Sequence, residues 1–165
     1  MNEAMDLQYM RMAVQMAEQA LADDQMPIGC VIVSGGQVLA QAAKSSAGHH
    51  RLDHAEILAL RQAITPKRWQ MDGVTLYTTL EPCIQCWGAI INCHIPRVVF
   101  ALEDPYGGAT HLDARAVPRH RDWQLEVVRG VEREAVRALF RRYYATTKNP
   151  YWSQHPQNPL VRVCY

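Results

Sequence analysis

The stretch that most restricts the fold is Val74-Thr75-Leu76-Tyr77-Thr78-Thr79-Leu80, a β-rich run entered through the turn signal Asp72-Gly73. It leads straight into a helical segment, Pro82 to Cys93, with Pro82 expected at the first helical position, where its missing N–H costs nothing. Pro96 closes that helix, and Arg97-Val98-Val99-Phe100-Ala101-Leu102 reads as the next strand. Strand, helix and strand at this spacing form a parallel crossover, so the sheet cannot be a simple meander. Upstream, residues 3–22 set Leu7, Met10, Val14, Ala17 and Leu21 at a 3.6-residue period, a core-facing helix. Pro27 ends the break that follows it. Ile28–Val33 is a nearly continuous apolar strand, and Gly35-Gly36 should turn Gln37–Ala42 back antiparallel beside it.

A polar connection over 43–53 delivers His54 to a helix running to about Ile64, with Asp53 as N-cap and Ile57, Leu58, Leu60 and Ile64 as its buried side. Residues 103–122 read as loop. Trp123–Val128 alternates as a fifth strand, and 131–144 is a helix burying Val136, Leu139, Phe140 and Tyr143. The expected architecture is α/β, a three-layer α/β/α sandwich around a mixed sheet of about five strands. One domain spans 1–144. The proline- and aromatic-rich tail, 145–165, packs on that same domain.

With 165 residues and 48% hydrophobic content, the chain can bury a real core. No apolar run approaches a membrane span, and the first residues, Met1-Asn2-Glu3-Ala4, lack the pattern of a signal peptide. An odd cysteine count, five, with two of them in a metal-like C-x-x-C, points to the reducing cytoplasm. Charge is uneven: residues 1–110 hold seven Lys/Arg against eleven Asp/Glu, a net of −4, whereas residues 111–165 hold ten against five, a net of +5. Such polarity suits either a phosphate-facing surface or a solvated helix face with a basic tail.

The chemistry concentrates in two short segments, His54-Ala55-Glu56 and Glu81-Pro82-Cys83-Ile84-Gln85-Cys86. Thiolates spaced i, i+3 on a first turn face the same way, and the positive helix terminus favours them as anions. His54 can add a third ligand and Glu56 a nearby carboxylate. Three ligands and an acid fit a catalytic zinc with one open position better than a closed structural site. Cys93 and His94 lie two or more turns along the helix, too far to complete a closed set. Zinc would bring a water towards a pKa of roughly 7, and Glu56 could carry its proton. A thioredoxin-like redox pair is the rival for C-x-x-C, weakened by the His-x-Glu upstream. Cys30, inside the first strand, reads as a buried inert thiol.

The two segments together resemble the H-x-E…P-C-x-x-C signature of the cytidine and nucleobase deaminase superfamily. Similarity extends over about residues 5–144, through Pro27-Ile28-Gly29, Thr75–Cys83, Gly88-Ala89-Ile90 and Arg97-Val98-Val99-Phe100, towards the branch of tRNA adenosine and guanine deaminases. The resemblance implies zinc on His54, Cys83 and Cys86. It implies attack on the ring carbon bearing the exocyclic amine, and Glu56 moving protons to the ring nitrogen and the departing ammonia. It places substrate contacts at Pro27, Ala43, Ala55 and Asp104, and implies a homodimer. An Asn is common where this chain has Ala43, and the tRNA branch favours a Lys soon after Asp104, where this chain reads Pro105-Tyr106-Gly107-Gly108.

Three functions follow as expectations. The first is hydrolytic deamination of a free base or nucleoside, the second is the same chemistry on adenosine in tRNA, and the third is a non-catalytic RNA-binding protein that kept its metal. Arg133, Arg137 and Arg141 form a helical stripe that RNA phosphates, Glu132 and Glu134, or a second subunit could answer. Tyr151-Trp152 onward could close over the site as a lid, or pack on the domain's own surface or across a dimer.

Overall fold

A computed structural model describes residues 3–45, 51–65 and 71–165, leaving aside the side chain of Ser153. The calls on Met1-Asn2 and on residues 46–50 of the polar connection lie outside the described residues. Five strands form one sheet: β1 (Gly29–Ser34), β2 (Gln37–Ala43), β3 (Val74–Leu80), β4 (Arg97–Leu102) and β5 (Glu126–Arg129). Their order is β2-β1-β3-β4-β5, with β1 antiparallel to both neighbours and β3, β4 and β5 mutually parallel. Four longer helices flank it, α1 (Glu3–Ala22), α2 (Ala55–Ala63), α3 (Ile84–Asn92) and α4 (Arg133–Thr146), followed by the short α5 (Pro150–Gln154) and α6 (Pro159–Cys164). The mixed sheet with helices on both sides is the expected sandwich.

Several local expectations shift by a residue or a face. Helix α1 buries Asp6, Tyr9, Met10, Ala13, Ala17 and Ala20, leaving Leu7, Val14 and Leu21 only half-buried. The reason is close approach: a Cβ on Gly29 of β1 would lie 2.1 Å from the Ala13 carbonyl oxygen and 2.6 Å from the Ala17 nitrogen. Only small residues fit on the helix there. Likewise α2 buries Ala55, Glu56, Ala59, Leu60 and Ala63, while Ile57, Leu58 and Ile64 are half-buried. Its N-cap is His54, not Asp53, and α3 begins after an N-cap at Cys83, so Pro82 lies outside the helix. β5 starts three residues later than the alternation around Trp123 suggests, and its strand pairs with β4 from Glu126 onward. Helix α4 buries the four residues expected of it, Val136, Leu139, Phe140 and Tyr143.

One buried network clamps α1 to the sheet. Arg97 donates to both oxygens of Asp6 at 2.7 and 2.8 Å, and Tyr77 donates its hydroxyl to Asp6 at 2.8 Å. Burial alone would raise the Asp6 carboxyl, but the bonds from Arg97 and Tyr77 outweigh it and hold it below its ordinary 3.8. A depressed carboxylate contributes stability that is present above the unfolded-state pKa and lost as pH falls through the folded one. We therefore expect Asp6→Asn to destabilise the fold at neutral pH, by up to about 3 kcal/mol, because it leaves the mostly buried Arg97 guanidinium with Glu126 as its remaining carboxylate partner. The gap from wild type in urea unfolding should narrow below pH 3.8; a pH-independent gap would refute the ionic origin.

Candidate active site

The sheet delivers several chain ends to one edge. β3 and β4 are parallel and finish side by side, with Leu80 opposite Leu102. β1 runs the other way, so its entry at Ile28 lies beside their exits, and the Lys44 N–H, just past β2, donates to the Ile28 carbonyl. Helices α2 and α3 both start there. The carboxyl ends of parallel strands are the usual seat of ligands in α/β sheets.

At this edge His54 Nδ1 lies 3.3 Å from Cys83 Sγ and 3.4 Å from Cys86 Sγ, and the two sulfurs are 3.7 Å apart. A tetrahedral zinc with bonds of about 2.3 Å to sulfur and about 2.0–2.1 Å to nitrogen sets its ligands roughly 3.5–3.8 Å apart. The donor set fits. It is the one group of three His, Cys, Asp or Glu among the described residues whose ligand atoms cluster this closely. His54 and Cys83 occupy N-cap positions yet make no side-chain cap hydrogen bond, which leaves both side chains to turn towards each other. Contact with the Cys86 thiol and with His54 outweighs burial and draws Cys83 down to about 4, while Cys86 is driven up by the same contact and by burial. The pair thus shares one proton, which a metal would displace.

Glu56 is 3% exposed and accepts from the Thr78 hydroxyl at 3.2 Å, with Cys86 Sγ 3.5 Å from its other oxygen. Burial raises its carboxyl above 4.5, reinforced by the Cys83 charge and opposed by His54. A buried acid whose carboxyl holds its proton more tightly than usual, beside three residues that could hold a metal, is suited to proton transfer.

A cavity of about 210 Å³ opens onto this group, lined by His54, Glu56 and Cys83 together with Met26, Ile28, Lys44, Leu80, Glu81, Asp104, Tyr106, Trp152 and Leu160. Of the four substrate contacts expected from sequence, Asp104 lines it. Ala43 sits opposite Gly29 at the end of β2, and its neighbour Lys44 lines the cavity instead. Ala55 is fully buried at the start of α2, and Pro27 gives its carbonyl to the Thr79 hydroxyl at 3.1 Å. Asp104 caps its own loop, accepting from the Tyr106 and Gly107 amides at 2.9 and 3.0 Å.

Glu81 had no role in the sequence reading. It accepts from the Asp104 and Thr110 amides and the Thr110 hydroxyl, which ties the loop after β4 to the turn carrying Cys83. A Cβ on Gly108 would lie 2.5 Å from the Glu81 carboxyl and 2.6 Å from the Asp104 carbonyl, so the loop must carry glycine there. The signal was its place one residue before Pro82-Cys83; the partners came from 23 and 29 residues away. The arginine stripe is answered within the chain: Arg133 pairs with Glu103, Arg137 with Glu134 at 2.8 Å, and Arg141 donates to the Cys164 carbonyl.

Residues 3–102 match the cytidine and deoxycytidylate deaminase zinc-binding region. The chain belongs to that family. It is a zinc-dependent hydrolytic deaminase acting on C–N bonds. The tRNA-specific adenosine deaminase of Bacillus subtilis is 36% identical over 129 residues, covering 76% of this chain and 80% of that protein. A solved structure from a study of A-to-I editing by tRNA:A34 deaminases at the wobble position is 30% identical, with a TM-score of 0.71, covering 80% of this chain and 98% of that one. A guanine deaminase from Nitrosomonas europaea shares the fold at 24% identity and a TM-score of 0.68, covering 83% of each chain.

Two measurements check the site. Elemental analysis should find one zinc per chain in the wild type and loss of it in Cys83→Ala. In zinc-free protein, the raised Glu56 carboxyl means that ionising it destabilises the fold above the unfolded-state pKa. Glu56→Gln should then raise Tm at pH 7, by roughly 2–4 °C per kcal/mol relieved, with the gain vanishing below pH 4.5. Equal Tm values at pH 7 would contradict that reading of the burial.

Proposed function

We propose that the chain deaminates a heterocyclic base that enters as a small molecule, with His54, Cys83 and Cys86 holding zinc and Glu56 carrying protons. The observation that carries this reading is the cover over the cavity. Trp152 of α5 and Leu160 of α6 form part of its wall, and Tyr151 reaches Tyr106 of the opposite loop, hydroxyl to hydroxyl at 3.3 Å. Trp152 is itself braced by donating to the Tyr143 hydroxyl at 3.1 Å. A covered, largely apolar cavity suits a flat ring better than an RNA loop.

Zinc, when bound, supplies the Lewis acidity that readies a water for attack at neutral pH. Glu56 accepts a proton from that water and delivers it to the ring nitrogen beside the amine-bearing carbon. It then passes the water's second proton to the amine, which leaves as ammonia while the ring carbon becomes a carbonyl. Thr78 holds the carboxylate in register for both transfers. Asp104, at the cavity wall, is placed to meet the far edge of the base.

The second reading, adenosine in a tRNA anticodon loop, is favoured by the 36% identity to the Bacillus subtilis enzyme. Ammonia release across a panel of bases and nucleosides separates the two. We expect release from at least one of them, lowered roughly 10²–10⁴-fold in Glu56→Gln with zinc retained. Silence across the panel, with inosine appearing in tRNA, would favour the second.

We also infer a homodimer in the cytoplasm. The five cysteines are all unpaired, in keeping with a reducing compartment, which cell fractionation would check. Ile57, Leu60, Ile64, Ala89 and Cys93, with Arg61, line a largely apolar groove between α2 and α3. A second copy would cover it. Sedimentation should give a dimer that Ile57→Asp converts to monomer; a monomeric wild type would remove the proposal.

A further inference from the structure

The loop after β4 is wound around a single carboxylate. Glu81, between β3 and Pro82, is half-buried, and its N–H still follows the sheet, donating to the Leu102 carbonyl at 2.8 Å. One of its carboxylate oxygens accepts from the Asp104 amide at 3.1 Å. The other accepts from the Thr110 amide at 3.3 Å and from the Thr110 hydroxyl. These donors stand at the two ends of residues 104–110, so one side chain fixes where the loop leaves and where it returns. Inside the loop the Gly108 amide donates to the Asp104 carbonyl and the Ala109 amide to the Pro82 carbonyl, both at 2.9 Å. Gly108 also pairs with Cys83 in an isolated bridge.

The groups fixed in this way are ones that meet a ligand. Asp104 and Tyr106 of the loop line the catalytic cavity, as do Glu81 and Cys83 beside it. The aim of Asp104 follows the shape of the loop, because its Oδ1 accepts from both the Tyr106 and the Gly107 amides. The hydrogen bonds that Glu81 makes to the loop are all with donors, and a carboxylate, which has acceptors only, answers every one of them. An amide in its place would turn an NH2 group towards one of those donors and would lose the added strength of a charged acceptor. Proton transfer by Glu56 and metal binding by His54, Cys83 and Cys86 give Glu81 no task.

Building on the reading above, in which Asp104 meets the far edge of the base, we propose that Glu81 is a positioning residue for the substrate. It acts through residues 104–110, holding Asp104 and Tyr106 at the cavity wall, and so bears on how the base is bound and not on proton transfer. Two simpler roles compete with this one. Glu81 lines the cavity and could touch the base itself, or it could do no more than support the turn that carries Cys83.

The test uses the zinc-loaded enzyme and whichever of adenine, cytosine, guanine and their nucleosides releases ammonia fastest. Glu81→Gln should raise KM about 10- to 100-fold, the range of one charge-assisted hydrogen bond, with a much smaller change in kcat and with zinc retained. Thr110 stands outside the cavity wall, so its variants separate the loop from direct contact with the base. Thr110→Val should also raise KM, and Thr110→Ser, which keeps the hydroxyl, should recover most of that loss. Asp104→Asn keeps an acceptor for the Tyr106 and Gly107 amides, and in that background Glu81→Gln should add little, because both changes act on one contact. In the absence of substrate, amide hydrogen exchange across residues 104–110 should quicken in Glu81→Gln. A fall in kcat at unchanged KM would overturn the proposal, and so would loss of zinc. A KM effect that adds in full to Asp104→Asn, with Thr110→Val silent, would place Glu81 on the base itself and overturn it too. If no member of the panel releases ammonia, the small-molecule reading fails by itself. Exchange then decides the role of Glu81: quickening supports its hold on the loop, and unchanged protection overturns it.

Discussion

The active site depends on two helix N-termini meeting at one edge of the sheet. Each helix spends its N-cap side chain on the shared centre instead of on its own backbone, His54 for α2 and Cys83 for α3. An ordinary Ser or Asp cap is worth about 1 kcal/mol to a helix, so both helices must be held by packing instead. They are: Ala55, Ala59 and Leu60 of α2 and Trp87 and Ile90 of α3 are buried in the core. The exposed donors and positive ends of the two helices then converge on a pair of sulfurs, which lets anions form in a half-buried place. The crossover from β3 through α3 to β4 makes the meeting possible, because it returns the chain parallel and brings the loop after β4 to the same edge.

That architecture was legible in the chain because its signals are local. The β-rich run before Pro82, the turn glycines and the amphipathic stripe of α4 each report on a few consecutive residues. The cluster of His54, Cys83 and Cys86 was legible for the same reason, since each half of it is a short fixed spacing. What the sequence did not disclose is contact between distant segments. Glu81 finds its partners in Asp104 and Thr110, and Lys44 shares a cavity wall with Trp152 of α5, neither of which spacing can announce. The helix faces were misjudged where a neighbour came unusually close. Gly29 lets α1 approach so tightly that alanines, not leucines, mark its buried side.

The arginine stripe shows a second limit of pattern. Of three like charges at helical spacing, the sequence offers Glu134 as a partner for one, and the fold supplies Glu103 and the Cys164 carbonyl for the others. Two of those partners come from outside α4, one from the end of β4 and one from the last residues of α6. The stripe therefore seats α4 between the sheet and the tail, and its charge is largely spent within the chain. Leu160 and Cys164, both buried against the core, complete that seating.

This seating has a consequence for chemistry. Because α6 is anchored in the core and α5 is braced through Tyr143, the aromatic wall at Trp152 stands over the cavity as part of the folded body. A wall of this kind lowers the exposure of the groups behind it, and in a less exposed site a hydrogen bond to a charged group is stronger than it would be in solvent. Glu56 gains most from this. Burial and the nearby Cys83 charge make its carboxyl hold a proton more readily, whereas His54, and a metal when bound, pull the other way. On the reading proposed above, in which Glu56 carries protons, the tail would also bear on how readily that carboxyl gives its proton up, because Trp152 and Leu160 form part of the wall around it.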